Sequence, residues 1–247
     1  MKWNKITLAA AMAGLLLTAG CGKDLLDQQD PNRPTVEQVW KNADDAVKGV
    51  NSCYGVMQMI GSYGRWLHFD YTLRSDEGWS NSPWTDLANS TRFIVVNYNF
   101  DTVISPWTEA YRGVFRCNQV LANVPGISMD KDLQQRLLGE AYFLRAQYYF
   151  DLVSLWGRVP LITEVSTVTT RAPQGTVGQG WERVVADLVE AEKLLPVRYT
   201  GDNVGRATKG AAQALMDKAY MQQRKWGEAS AQFTKVIGSG TYALVPN

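Results

Sequence analysis

The sequence predicts an all-α fold in which antiparallel helix pairs are joined by long loops. Apolar residues recur every three or four positions over most of the 247 residues, which is the spacing of an amphipathic helix. Helix-capping residues precede several of these stretches, and Gly or Pro follows their ends. A strand-like pattern is confined to residues 93–96.

The first predicted helix begins after Thr35, which would form a capping box with Gln38, and continues to about Met57. Residues 75–90 are rich in turn-forming residues and lack a helical period, and helices resume near Trp107. The apolar stripe of the first helix consists of Val36, Trp40, Ala43, Val47, Val50, Tyr54 and Met57.

Two long helices follow. One ends before Pro125, and the next runs from after Ser128 to Trp156, where Gly157 suits the left-handed position past a helix end and Pro160 prevents a restart. Five indoles lie on helical stripes or caps and are predicted to be in the core: Trp66, Trp107, Trp156, Trp181 and Trp226.

A second capping box, Thr176 with Gln179, opens a helix that ends at Pro196. A final pair is predicted at about residues 209–223, capped by Thr208, and at about residues 226–237. This pair resembles a tetratricopeptide unit, in which small residues allow close helix contact; the residues that carry the likeness are Ala219, Tyr220, Trp226, Ala229 and Phe233.

Residues 1–20 have the features of a secretory signal peptide. Two lysines precede an uncharged run of about 14 residues, which is too short to span a bilayer. Cys21 directly follows small residues, so we predict cleavage before it and lipidation of its thiol; an ordinary signal peptide with an incidental cysteine is the alternative. Residues 21–34 would then form a flexible tether, and residues 35–247 the helical domain.

The charge, histidine and cysteine content of the chain argues against several kinds of partner, metal site and cross-link. The chain has 25 basic and 24 acidic side chains, which provides no basic field for nucleic acid. A single histidine, His68, cannot form a two-histidine zinc site, and no metal or cofactor is predicted. Cys53 and Cys117 lie in apolar helical patterns, which favours buried free thiols over a disulfide between them.

One stretch, residues 139–162, carries a distinctive set of residues: Glu140, Ala141, Leu144, Arg145, Ala146, Tyr148, Tyr149, Asp151, Leu152, Gly157, Pro160 and Leu161. This set closely resembles the signature helix of the SusD/RagB family of outer-membrane nutrient-binding lipoproteins. Four other stretches agree with the family in order, so the resemblance covers essentially the whole chain. Within the signature, Arg145 and Asp151 lie six residues apart, so each is expected to pair with loop backbone or another helix. The other stretches are residues 25–31, Tyr111 with Asn118, residues 187–196 and residues 205–212.

The resemblance implies a function. Members of this family bind glycans or other nutrients at the cell surface and cap a SusC-like TonB-dependent transporter in the outer membrane, without catalysis. They are also considerably longer, so the resemblance implies that this chain is an N-terminal portion whose C-terminal half is missing. The identity of the glycan does not follow from the residues.

Residues 74–84 form the best candidate ligand segment. Trp79 and Trp84 could stack on the flat C–H faces of a sugar, while Asn81 and Asp76 could bind its hydroxyl groups. In the resembled family, a loop after the first helix contributes to the glycan-binding surface. The alternative for these indoles is that one or both fill the core beneath the loop.

Two other functions remain open at this stage. A tetratricopeptide-like scaffold that binds only protein would have the same helices without affinity for sugars. A glycosidase would need two carboxylates on either side of the sugar, and Asp76 and Glu77 are the pair in this segment. Because adjacent side chains usually point apart, this reading is less favoured than solvated or structural turn acids.

Overall fold

The computed structural model describes residues 39–94 and 97–245. From Trp40 onward these residues form one compact unit. The described part contains no β-strand, so the all-α prediction is confirmed. Its eight α-helices are α1 (Ala43–Met57), α2 (Trp66–Thr72), α3 (Thr85–Ser90), α4 (Asp101–Asn123), α5 (Lys131–Trp156), α6 (Val177–Leu194), α7 (Lys209–Gln222) and α8 (Trp226–Gly238).

None of the helices in the described part is long and apolar enough to cross a membrane. The predicted signal peptide, Cys21, the tether and the capping box of Thr35 with Gln38 lie outside the described residues.

The first helix begins later than predicted. The expected continuous helix from Thr35 is wrong, because residues 40–42 are not helical and α1 starts at Ala43. The Asn42 side chain accepts a hydrogen bond from the Asp45 backbone N–H at 3.0 Å. Two aspartates in the first turn add favourable charge beside the unpaired N–H groups. Because Asn42 lies between apolar residues that continue the helical spacing, the sequence pattern did not reveal that the helix begins here.

The sequence did not predict the short helices α2 and α3. They have seven and six residues, which is less than two full turns and too short to show a helical period. Helix α4 also begins earlier than expected, at Asp101, with Pro106 buried in its second turn. Packing against neighbouring helices, rather than local periodicity, therefore determines where helices form in this part of the chain.

The strand-like run at residues 93–96 is not a strand in its described part. Phe93 lies in a turn with a φ of 56°, and the Ile94 backbone N–H donates to the Asn89 carbonyl at 3.1 Å. Residues 95–96 lie outside the described residues. The turn continues from the end of α3, and it leaves the Phe93 and Ile94 side chains exposed.

Helix α5 is the central element. It packs against α1, α4 and α6, and the chain continues outward through α7 and α8. Gly113 of α4 allows a close approach, because a Cβ atom there would collide with the Tyr148 ring. The Tyr148 hydroxyl donates to the Cys53 carbonyl at 2.7 Å and so connects α5 to α1. The largest buried side chains of α5 are Leu137, Leu144, Tyr148, Tyr149 and Leu152.

Buried charges on α5 are paired with other elements, as expected. Arg145 donates to both carboxylate oxygens of Asp187 on α6, through Nε at 2.8 Å and Nη2 at 2.7 Å. Its Nη1 donates to Asn118 of α4 and to the Thr163 carbonyl. Burial alone would lower the pKa of the Arg145 guanidinium, but the Asp187 carboxylate keeps it above its ordinary value. These bonds fix α4, α5, α6 and one loop together.

Asp151 lies on another face of α5 and is held by different partners. Its carboxylate accepts hydrogen bonds from the Tyr63 hydroxyl at 2.8 Å and from the Tyr71 hydroxyl, on α2, at 3.0 Å. Burial raises the pKa of Asp151 to about 6, although these donors oppose the shift. The pairing attaches α2 to the C-terminal part of α5 and so positions the segment that follows α2.

The later capping predictions are confirmed. Thr176 and Gln179 form the expected capping box at α6, and the Thr208 side chain accepts from the Ala211 N–H at α7. Gly157 has a φ of 70° directly after α5. Cys53 and Cys117 are buried free thiols, as the apolar pattern favoured.

The prediction for Trp226 is wrong, because its side chain is 61% exposed. Trp226 opens α8, and the described residues do not cover the outer face of this helix. Trp66 and Trp181 are buried, as predicted. Trp107 and Trp156 are partly buried and form an edge-to-face pair with ring centroids 5.3 Å apart.

Candidate ligand-binding surface

The predicted ligand segment follows α2 and is shaped by short polar contacts. Ser75 donates its hydroxyl to the Thr72 carbonyl at 3.0 Å and accepts from the Glu77 N–H at 3.2 Å. Ser82 accepts from the Trp84 N–H at 3.1 Å, just before α3. Serine side chains that bond to nearby backbone stabilise turns. The turn-forming residues of this segment therefore give the loop a specific backbone conformation.

Gly78 brings this loop back against α2. A Cβ atom at Gly78 would lie 2.5 Å from the Thr72 carbonyl oxygen, so only glycine fits the close approach. The next residue, Trp79, is 68% exposed, and Asn81 is also exposed. The structure therefore presents Trp79 and Asn81 to solvent, rather than using Trp79 to fill the core.

Trp84 combines exposure with rigid support. Its ring centroid lies 6.0 Å from that of Trp66 and 5.7 Å from that of Phe100, the latter in an edge-to-face arrangement. Trp66 is only 3% exposed, whereas Trp84 is 50% exposed. The Trp84 indole therefore packs on the buried Trp66 ring and the partly buried Phe100 ring, while half of its surface is exposed to solvent. Such a ring can accept a flat apolar face without a large loss of side-chain freedom.

A cavity of about 200 Å³ opens beside this region, between α2, α4 and the C-terminal end of α5. Asp70 and Arg74 contribute charged groups to its wall, and Tyr98 and Trp156 contribute aromatic rings. Burial raises the pKa of Asp70 to about 7, a shift that the Arg74 guanidinium partly offsets. The cavity can therefore offer hydroxyl groups both a hydrogen-bond acceptor and a cationic donor.

Sequence reasoning placed Arg74 at the start of the candidate segment but missed Asp70 and Tyr98 as members of this region. Asp70 lies on α2, a helix too short to be recognised from its period, four residues before Arg74. Tyr98 is 72% exposed and follows the run that was interpreted as a strand. An aromatic residue between two asparagines, Asn97 and Asn99, was an available but unspecific signal.

The carboxylates of the glycosidase alternative are both exposed. Asp76 and Glu77 are adjacent in the loop, and neither lines the cavity that holds Asp70. In the part of the chain that the structure covers, no cluster of His, Cys, Asp or Glu side chains is arranged to hold a metal ion. His68 is exposed on α2. The loop and the cavity therefore present indoles, a tyrosine and short polar groups.

The described residues thus combine an all-helical scaffold, an exposed aromatic loop and a polar cavity. The SusD-like family, described as "Starch-binding associating with outer membrane", matches residues 24–221. This chain belongs to that family, as its signature helix indicated.

Individual relatives agree with this assignment. A SusD-like protein of Formosa agariphila is 28% identical over 232 residues, which cover 91% of this chain and 44% of that protein. A solved laminarin-binding SusD-like protein is 31% identical with a TM-score of 0.71, over 81% of this chain and 44% of that one.

A SusD homolog from Bacteroides thetaiotaomicron is 25% identical with a TM-score of 0.75, over 88% of this chain and 45% of that one. The chain thus spans less than half the length of the relatives that it matches.

Proposed function

We propose that this protein binds oligosaccharides at the cell surface through the loop that carries Trp79, Asn81 and Trp84. The observation that supports this most directly is the half-exposed Trp84 ring, held on Trp66 and Phe100. Aromatic faces favour the C–H faces of sugars, and a supported ring loses little entropy on binding. Membership of a family described as starch-binding agrees with this chemistry.

The surrounding polar groups would select among sugars. Asn81 and Asp76, in the loop, can bond to hydroxyl groups from one side, while Asp70 and Arg74 border the adjacent cavity. A relative with 31% identity is a laminarin-binding protein, so β-linked glucans are reasonable test ligands beside starch fragments.

The proposal also includes a membrane anchor and a membrane partner. Cys21 would carry the lipid that anchors the chain in the outer membrane, and residues 21–34 would act as the tether. A SusC-like TonB-dependent transporter would be the membrane partner that takes up the captured oligosaccharide. Loss of palmitate incorporation in Cys21→Ala would support the anchor, and unchanged incorporation would exclude it. Recovery of a TonB-dependent transporter with the tagged chain from a detergent extract would support the partnership.

Binding is tested with the full chain in detergent. Maltoheptaose and laminarin oligosaccharides are titrated against the parent chain, Trp79→Ala and Trp84→Ala. Trp226→Ala is the matched control, because Trp226 is also exposed but lies on α8, which packs mainly against α7. We expect Trp84→Ala to weaken binding at least tenfold and Trp226→Ala to leave it unchanged.

Equal affinity of Trp84→Ala and the parent chain would contradict the site. Release of reducing sugar that is lost in Asp76→Asn or Glu77→Gln would instead favour the glycosidase alternative. Both readouts can be taken from the same samples.

A further inference from the structure

A second, larger cavity lies at the other end of α5. Its volume is about 480 Å³, and it is an open depression between the N-terminal end of α5, the C-terminal end of α6 and the loop that follows α6. Asp132, Leu133, Gln135 and Arg136 of α5 line it, whereas Leu155 and Trp156 line the cavity that holds Asp70. At 1.5 Å per residue these two ends of α5 are ~29 Å apart, so one ligand unit cannot occupy both.

The lining of this cavity is cationic. Arg136 and Arg198 supply two guanidinium groups, and Asp132 is the one carboxylate among the lining residues. Arg198 is exposed and forms no ion pair with a carboxylate of the described residues. A net positive charge therefore borders a cavity in a chain that is almost neutral as a whole.

The Arg136 guanidinium is only weakly engaged by the protein. Its Nε is buried and has no hydrogen-bond acceptor among the described residues, and Glu140 Oε1 lies 3.5 Å away. Glu140 is fully buried and is already satisfied by Arg206 Nη1 at 2.8 Å and by the Tyr199 hydroxyl at 3.3 Å. Glu140 thus holds Arg136 in position through the buried Nε, and the Arg136 side chain remains 18% exposed. The Nη groups are the part of this guanidinium that a ligand would bind.

Tyr199 adds an aromatic wall. The Arg136 guanidinium lies 6.0 Å from the centre of the Tyr199 ring, and the hydrogen bond to Glu140 fixes the orientation of that ring. Tyr199 and Arg198 also line a neighbouring cavity of about 240 Å³. An extended ligand could therefore pass over these two side chains from one cavity into the next.

Neutral polar groups complete the rim. Asn203 accepts a hydrogen bond from Arg206 Nε at 3.0 Å through its side-chain oxygen, so its NH₂ group keeps both donors. The Thr200 hydroxyl lies on the same loop, beside the apolar surface of Pro196. Hydroxyl partners, an apolar floor, an aromatic ring and two guanidinium groups match one class of ligand.

We propose that this cavity is a second saccharide site, selective for sugars that carry a carboxylate or sulfate group. Arg198 and Arg136 would bind the acidic group, because the planar guanidinium fork matches two oxygens of such a group. Tyr199 would support the face of the sugar ring, and Asn203 and Thr200 would bond to its hydroxyl groups. The site does not depend on Trp79 or Trp84, so it can fail or succeed independently of the function proposed above.

The test titrates the full chain in detergent with three tetrasaccharides: alginate-derived tetramannuronate, a sulfated carrageenan-derived tetrasaccharide and neutral maltotetraose. Arg198→Gln is the informative variant, because its exposed side chain can be changed without disturbing the buried Glu140 network. Arg158→Gln is the matched control, since Arg158 is also exposed but lies beyond the C-terminal end of α5. Thermal unfolding of each variant verifies that the fold is intact.

We expect at least one acidic tetrasaccharide to bind, with Arg198→Gln weakening it about tenfold or more and Arg158→Gln leaving it unchanged. The stronger of the two acidic ligands identifies the preferred group. The Trp79→Ala and Trp84→Ala variants should retain this binding. Failure of both acidic ligands to bind the parent chain would overturn the proposal, as would an equal effect of Arg198→Gln on maltotetraose.

Discussion

The Asp187 carboxylate on α6 accepts two hydrogen bonds from the Arg145 guanidinium on α5, from Nε at 2.8 Å and from Nη2 at 2.7 Å. Both side chains are buried, and Arg183 adds a further contact to Asp187 at 2.6 Å. The pair connects α5, which carries the family signature, to α6. Removing one partner should therefore show how much this buried ion pair contributes to the stability of the fold.

Arg145→Met should lower the free energy of unfolding by about 3–5 kcal/mol, because it leaves Asp187 buried with less compensation. The double variant Arg145→Met with Asp187→Leu should recover part of this loss, since no buried charge is then left alone. Urea unfolding measures both. Arg158→Met, at an exposed position, should change stability by less than about 0.5 kcal/mol. A double variant less stable than Arg145→Met would contradict the argument.

Trp66→Leu should weaken glycan binding although Trp66 is buried, because it removes the ring on which Trp84 rests. Loss of such ring contacts corresponds to a reduction in affinity of about three- to tenfold. Stability should also fall, by about 2–4 kcal/mol. Trp181→Leu is the control, since Trp181 is equally buried against Phe150 on another face. It should destabilise the fold without changing the affinity, as measured by calorimetric titration below the unfolding temperature.

Asp70→Asn should change how stability depends on pH. The Asp70 carboxyl has a pKa of about 7 in the folded chain and 3.8 ordinarily. The folded state therefore binds this proton more tightly, and stability is lost as pH rises from about 4 to about 7. Asp70→Asn lacks this penalty, so it should be more stable than the parent by up to about 4 kcal/mol above pH ~8.

Below pH ~4 the two chains should be equally stable, because the carboxyl is then protonated in both the folded and the unfolded states. Urea unfolding at both pH values provides the comparison, and Asp76→Asn at an exposed position serves as the control. A stability difference that does not vary with pH would argue against a buried, titrating Asp70.

Gly113→Ala should destabilise the fold by about 1–3 kcal/mol, because the added methyl group meets the Tyr148 ring and forces α4 away from α5. Gly227→Ala on α8 provides the contrast, since nothing lies within 4 Å of an added Cβ there. It should be neutral or slightly stabilising, because alanine favours helix. Thermal unfolding monitored by circular dichroism distinguishes them.

Cys53 and Cys117 should resist alkylation in the folded protein. Both are buried, and burial raises the pKa of the Cys117 thiol, so little reactive thiolate is present at neutral pH. Iodoacetamide should label the two peptides only after denaturation, as mass spectrometry can show. Unlabelled peptides in denaturant without reductant would indicate a disulfide instead.

The long helices could be predicted because their stripes extend over several turns and their ends carry clear caps, as at Thr176 and Gly157. Short helices could not, because α2 and α3 depend on tertiary partners such as the Asp151–Tyr71 hydrogen bond. The burial of Trp226 was misjudged because a helical stripe indicates a face but not whether another element covers it.

For the candidate site, the sequence identified the exposed indoles through the turn-rich composition around them. It could not identify Trp66 and Phe100 as the support of Trp84, since these residues are 18 and 16 positions away from Trp84 in the chain. Asp70 and Arg74 acquire their place at the cavity only when α2 packs beside α4.

The three buried charges of α5, Glu140, Arg145 and Asp151, attach this helix to different neighbours at successive points along its 26 residues. Each end of the helix therefore has its own anchor. A chimera that takes the loops around Trp84 from one relative and those around Arg198 from another should retain the same helical frame, so the two proposed sites could be exchanged independently on one protein.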